Sequence, residues 1–207
     1  MLHTDERFAE AVEKAVGEIE AATDADIVVV AARRSGTYRD LTVLVGVAAA
    51  WLALVFALYS PWSFSGNWLP IELPIVGLLT AWAAARSPAL LRTLAGRTRC
   101  QRQVAEAAGL AFRDEAVHGT RGRTGVLVYL SALERRVVLL PDAGIEARVP
   151  GAEWNVLRWG SGADPSDPTD LEGFLAGLHA SGAVLARYVP PTGDNPNEIA
   201  NAPRIRP

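Results

Sequence analysis

Hydrophobic positions along this chain fall into three patterns, and each predicts a different kind of element. Phe8, Val12, Val16 and Ile19 recur at helical spacing and predict an amphipathic helix over about residues 5–22, with Thr4 as its cap. Residues 27–32, IVVVAA, are instead a short unbroken β-branched run, as expected of a strand covered on both faces. The pattern returns in GVLVYLS (125–131) and RVVLLP (136–141), and the short ALER between them predicts an antiparallel pair joined by a tight turn. Val104, Ala107, Ala108, Ala111 and Phe112 restore helical spacing in a segment that Ser87 and Pro88 can start, and a further helix is expected over about 170–187. Trp154 and Trp159 read as core and lid aromatics of a short helix or turn. GSGADPSDPTD (160–170) reads as a loop ending in a helix cap. Residues 188–207 are proline-rich without an apolar period and are expected to form a disordered tail.

The third pattern is longer. Residues 41–59, LTVLVGVAAAWLALVFALY, carry no charge over a helical length that matches a hydrocarbon core of about 30 Å. Residues 67–86 form a second, less apolar segment, in which Pro70 and Pro74 are expected in the first turn and Glu72 at headgroup depth. Arg33, Arg34 and Arg39 precede the first segment, and Arg86, Arg92, Arg97 and Arg99 follow the second. The connector, with Trp62 and Trp68, has no Lys or Arg. The positive-inside rule then predicts a two-span hairpin in the cell membrane with both chain ends cytoplasmic. Thr80, Ser60 and Glu72 offer too little polarity for a transport path.

Composition narrows the function classes. A net charge of -3 and a pI near 5.7 give no basic field, so a nucleic-acid partner is not expected. Cys100 is the one cysteine, which excludes an internal disulfide and any zinc site built from several thiolates. The first residues, MLHTDERFAEAVEK, lack the apolar core of a cleavable secretory signal.

The strand at 27–32 has no partner until residue 125. A single mixed-sheet α/β sandwich is therefore expected, interrupted by the transmembrane helical hairpin: residues 1–36 and 88–187 form one cytoplasmic domain around the spans 41–59 and 67–86. If the strands at 27 and 125 run parallel and the strand at 136 returns against them, their shared edge collects Asp24, Asp26, Thr120, Arg121, Arg123 and Asp142. Asp24, Asp26 and Asp142 are candidate ligands for a hard cation such as calcium. The same carboxylates are candidate catalytic groups, with Thr120, Arg121 and Arg123 binding a phosphoryl substrate. GTRGRTG (119–125) is not a nucleotide P-loop: two residues separate its first glycines where four are needed, no lysine follows, and it precedes a strand. Ser131 lacks a nucleophile elbow, and His118 reads as a solvated loop residue. Cys100 reads as a small, partly buried side chain.

IEAATDADIVVV and HGTRGRTGVLVYLSALERRVVLLPDAGIEARVPGAEW carry a resemblance to a known family. An acidic turn precedes the first strand, Thr leads into a Gly-Val-Leu strand, Ser precedes a Glu-Arg turn, and a strand ends in Asp-x-Gly-Ile. In these features the chain resembles the TPM-domain family, which includes thylakoid-lumen phosphatase-like proteins and photosystem II repair factors. The resemblance covers about residues 5–36 and 100–187 and implies a mixed-sheet α/β sandwich; among relatives it implies acid phosphatases and calcium binders. Two functions are expected from these readings. One is a membrane-tethered interaction or assembly module with a protein partner and a divalent cation. The other is a hydrolase of phosphate monoesters that uses the Asp/Arg cluster.

Overall fold

The structure, a computed structural model, describes residues 6–62, 66–156, 170–193 and 198–206. Thr4, Trp159 and nearly all of the 160–170 loop lie outside the described residues. The chain forms two units, Met1–Ser35 with Gln101–Pro207, and Gly36–Cys100.

The first unit is built on a mixed sheet of β1 (Asp26–Ala32), β2 (Gly125–Ser131), β3 (Arg136–Pro141) and β4 (Arg204–Arg206), in the order β3-β2-β1-β4. β1 and β2 run parallel, from Asp26 opposite Gly125 to Ala32 opposite Ser131. β3 returns antiparallel along β2, with Val126 opposite Pro141. The expectation of a disordered tail over 188–207 is corrected here, because Arg204–Arg206 pairs parallel with Val30, Ala31 and Ala32. Three residues, two of them arginine, leave no hydrophobic period to read. What makes them a strand is the edge of β1, whose backbone groups need partners.

Successive strand residues point to opposite faces, so runs apolar at every position need cover on both. On one face α1 (Glu6–Glu20), α7 (Leu171–Tyr188) and the short α5 (Ala143–Glu146) pack Phe8, Val12, Phe174, Leu178 and Ile145 against Ile27, Val29, Val126 and Val128. Each such fully buried side chain contributes roughly 1.5–3 kcal/mol. Gly182 lets α1 and α7 approach, since a Cβ there would sit 2.7 Å from the Ile19 side chain. Trp154, in α6 (Gly151–Val156), packs partly buried on the same core, as expected. On the other face Val104, Ala108 and Ala111 of α4 (Pro88–Asp114), and Val117 of a 3-10 turn, cover Val28, Val30, Leu127 and Tyr129. α4 is broken at Gly96, whose φ of 73° takes it out of the helical region.

The second unit contains α2 (Arg39–Tyr59) and α3 (Leu69–Ala85), two antiparallel helices. Gly46 faces Gly77 and Ala81, and Gly77 in turn faces Ala50. Small residues at these positions let the backbones meet: a Cβ on Gly46 would lie 2.5 Å from the Gly77 carbonyl oxygen. Gly46→Leu is therefore expected to push the helices apart at a cost of about 1–3 kcal/mol, seen as earlier loss of helicity in a detergent-unfolding titration, with Gly46→Ala less affected. Pro70 lies in the first turn of α3, as expected, but Pro74 lies inside the helix, where it removes a backbone donor. The Thr80 hydroxyl donates to the carbonyls of Val76 (2.7 Å) and Gly77 (3.0 Å) of its own helix. Asp40 holds Arg99 with two bonds of 2.7 and 2.9 Å. Among the described residues, α2 is the one helix long and apolar enough to cross a membrane by itself. α3, with 17 residues, reaches the needed length only together with α4.

A candidate site at the amino edge of the sheet

Parallel pairing sets Asp26 beside Gly125, and the antiparallel return brings the end of β3 to the same edge. The Asp26 N–H donates to the Thr124 carbonyl (3.2 Å) and the Asp142 N–H to the Gly125 carbonyl (2.8 Å). All six residues singled out in the sequence flank this edge. They form two groups rather than one.

The first group is Arg123 with Asp142. Arg123 sits at φ 54°, a left-handed conformation unusual for a side-chain-bearing residue, and its N–H closes a turn on the Thr120 carbonyl (3.1 Å). Its guanidinium donates twice to the buried Asp142 carboxylate, at 3.1 and 3.0 Å. Asp142 also caps α5 by accepting from the Ala143 N–H at 2.8 Å. Both oxygens are thus engaged in holding the 120–124 turn against α5. Asp142→Ala is expected to cost about 2 kcal/mol in a denaturation experiment, mostly the lost cap and the turn it holds, because the half-exposed arginine pair adds little. Asp142→Asn, which keeps an acceptor for Ala143, is expected to lose less.

The second group surrounds the start of β1. The Asp24 carboxylate accepts from the Thr192 N–H (2.9 and 3.0 Å) and hydroxyl (2.6 Å). Asp26 is 2 % exposed; its Oδ1 accepts a long bond from the Glu198 N–H (3.4 Å), whereas its Oδ2 is buried without a hydrogen-bond partner among the described residues. The Thr120 hydroxyl is buried in the same condition. Arg121 contributes its backbone, the N–H donating to Glu198 Oε2 (3.1 Å), and its side chain is exposed.

Two participants went unrecognised in the sequence, Glu198 and Glu20. Glu20 ends α1 and accepts from the Ile27 N–H at 2.8 Å. Burial raises its pKa to about 7; the nearby Asp26 charge adds to the rise, and bonds from the Ile27 N–H and the Asn201 side chain oppose it. Burial likewise raises Asp26; the Glu198 N–H opposes the rise, and the Glu198 and Asp24 charges reinforce it. A signal for Glu20 does exist in the sequence, since a carboxylate in the last turn of a helix opposes the helix dipole and needs another reason to be there. Glu198 gave none, because it lies in a segment without a pattern.

The three carboxylates expected to share a calcium ion, Asp24, Asp26 and Asp142, are not gathered into one cluster. Among the described residues no group of three or more His, Cys, Asp or Glu side chains is placed to hold a metal ion. Asp142 lies two strands from Asp26 and is committed to Arg123, while Asp24 is held by Thr192. What the edge does assemble is two neighbouring carboxyls, Glu20 and Asp26, both made less acidic by burial, with Glu20 raised to about 7.

The opposite edge is closed. The fully buried Ser131 hydroxyl donates to the buried Glu134 carboxylate. The Ser35 hydroxyl bonds to Ser131 Oγ (2.7 Å) and the Tyr129 hydroxyl (3.2 Å), and its N–H to Glu134 (3.1 and 3.2 Å). This network ties the end of β1 to the β2–β3 turn. It leaves Ser131 inaccessible as a nucleophile. His118 is exposed on its 3-10 turn, and Cys100 is buried, 3.8 Å from the Tyr38 hydroxyl.

Comparison with known proteins bears on the fold. No family model and no curated protein matches the chain. Among solved structures it is similar to the NMR structure of BA42 protein from the psychrophilic bacterium Bizionia argentinensis, with a TM-score of 0.57 and 15% identity over 97% of this chain and 94% of that one. At such identity the likeness concerns the α/β fold alone.

Proposed function

We propose that this chain is a membrane-tethered interaction module: α2 and α3 lie in the bilayer as a hairpin, both chain ends are cytoplasmic, and the α/β unit, a TPM-like domain in this reading, engages a protein partner. The observation that carries the reading is the surface of α2. Of its 21 residues Gly46 is the buried one, and on the face away from Gly46 large apolar side chains stay open, Leu44 at 64 %, Trp51 at 63 % and Leu58 at 66 %. A helix from a water-soluble core would hide these side chains; lipid covers them without further protein. Trp62 and Trp68, both exposed, suit the interface at the turn.

Two measurements test this. The full chain is expected in the membrane pellet after alkaline carbonate extraction, and recovery in the supernatant would overturn the tether. In a Cys100→Ser background, a cysteine at Gly66 should react with an impermeant maleimide in intact cells, and one at Thr192 only after permeabilisation. The reverse pattern would overturn the orientation.

A second reading is favoured by the Glu20–Asp26 pair, since a carboxyl with a pKa of about 7 is what general acid–base chemistry at neutral pH requires. In it the domain is a hydrolase of phosphate monoesters. Turnover of p-nitrophenyl phosphate that disappears in Asp26→Asn supports this reading, and equal rates in both proteins count against it.

A further inference from the structure

β4 is the least anchored strand of the sheet. It pairs with three of the seven residues of β1. Its one apolar residue, Ile205, is 45 % exposed. Its other holds are mainly charges, Arg204 to Glu115 at 3.3 Å and Arg206 to Glu115 at 2.9 Å and Asp114 at 3.2 Å, with bonds to backbone oxygens, from the Arg33 N–H to the Arg206 carbonyl and from Arg204 to the Ala200 carbonyl, both 3.2 Å. These pairs are only partly buried, and such pairs hold modestly and fade with salt. Fourteen residues join Val189 to Arg204, without helix or strand among those described. At about 3.3 Å per residue they could reach roughly 45 Å.

The seat under β4 has the opposite character. β1 is buried along its whole length, and without β4 its edge would be an open row of backbone donors and acceptors beside an apolar core. Glu115 lies between the two arginines and Asp114 beside the second, so an occupant must run parallel to β1 and carry cations two residues apart. The segment known to meet those terms is this chain's own Arg204-Ile205-Arg206.

We propose that β4 is an exchangeable strand: the edge of β1 accepts residues 204–206 from a second copy of the chain, and the protein self-associates by reciprocal exchange of its tails. The ends of the connection permit this. Pro190 and Pro191 follow Val189 at the end of α7, and Pro203 precedes the strand, so the chain is biased to extended backbone at both ends of the connection. The inference does not depend on the membrane tether.

The test uses full chains and a charge swap. One variant, Glu115→Arg, keeps the tail and spoils the seat; the other, Arg204→Glu with Arg206→Glu, keeps the seat and spoils the tail. Within either copy like charges then face each other, but a mixed pair restores opposite charges at both exchanged strands. With different affinity tags, co-purification of the mixed pair is expected to exceed that of either variant with itself at least tenfold. Equal recovery in all combinations overturns the exchange, because association through any other surface ignores these charges. Energy transfer covers the case of a misfolded variant. With Cys100→Ser, donor-labelled Ile205→Cys chains mixed with acceptor-labelled Arg33→Cys chains should transfer between copies, because the Arg33 N–H bonds the Arg206 carbonyl at 3.2 Å. No transfer between copies overturns the proposal as well.

Discussion

Replacing Gly125 by alanine is expected to cost about 3 kcal/mol of unfolding free energy, near the upper range for overpacking, and to loosen the whole amino edge. A Cβ at this first residue of β2 would lie 2.2 Å from the Val117 carbonyl oxygen and 2.7 Å from its Cγ1. Neither atom can step aside, because Val117 is fully buried in the core between α4 and the sheet. Gly144 makes the same demand across the turn, where a Cβ would stand 2.1 Å from the Gly122 carbonyl oxygen. The two glycines let the 117–124 segment lie against β2 and α5 closely enough for Arg123 to reach Asp142. Urea unfolding of Gly125→Ala should show the loss, whereas a glycine at an open position, Gly109, should tolerate alanine or gain from it as a helix residue. Equal effects at the two positions would sink the claim that close approach sets the edge.

The second large effect concerns pH. Glu20 titrates in the folded protein at about 7, against an ordinary value of 4.5. A raised pKa means that the folded state holds the proton more tightly than the unfolded chain, so its contribution is fully present below pH 4.5 and is lost as pH rises through about 7. Unscreened, that shift corresponds to about 3 kcal/mol; because Glu20 is only partly buried, a net effect of about 1–2 kcal/mol is expected. Glutamine at this position cannot ionise and keeps an oxygen for the Ile27 N–H. Glu20→Gln should therefore match the parent near pH 4 and exceed its stability by about 1–2 kcal/mol at pH 8. Asp26, shifted in the same direction, adds to the slope of the parent. Parallel stability profiles of the two proteins between pH 4 and pH 8 would rule out Glu20 as the titrating group.

Much of this was written along the chain. Periodicity fixes α1, because its stripe of Phe8, Val12, Val16 and Ile19 can be satisfied in one way, by packing. Continuous β-branched runs determine β1, β2 and β3, and with them the split of one sheet around residues 36–100. The shared edge of Asp26, Gly125 and Asp142 follows once the parallel pairing is assumed, since strand direction alone decides which ends meet. An apolar stretch as long as α2 is equally legible, as its length and lack of charge are local properties.

Other features are properties of neighbours, and no local pattern carries them. Asp24, Asp26 and Asp142 read alike in the sequence, but one takes a threonine, one lies buried with an idle oxygen and one holds an arginine. These differences depend on Thr192, Glu198 and Arg123, two of which arrive from more than a hundred residues away. Glu20 acquires its high pKa from burial against the start of β1, an environment that exists only in the folded chain. Arg204–Arg206 is a strand because β1 offers it an edge. Hydrophobic period, a local quantity, chose the elements and their order; desolvation and hydrogen bonding, which depend on what folding brings near, chose which charged residues make the site.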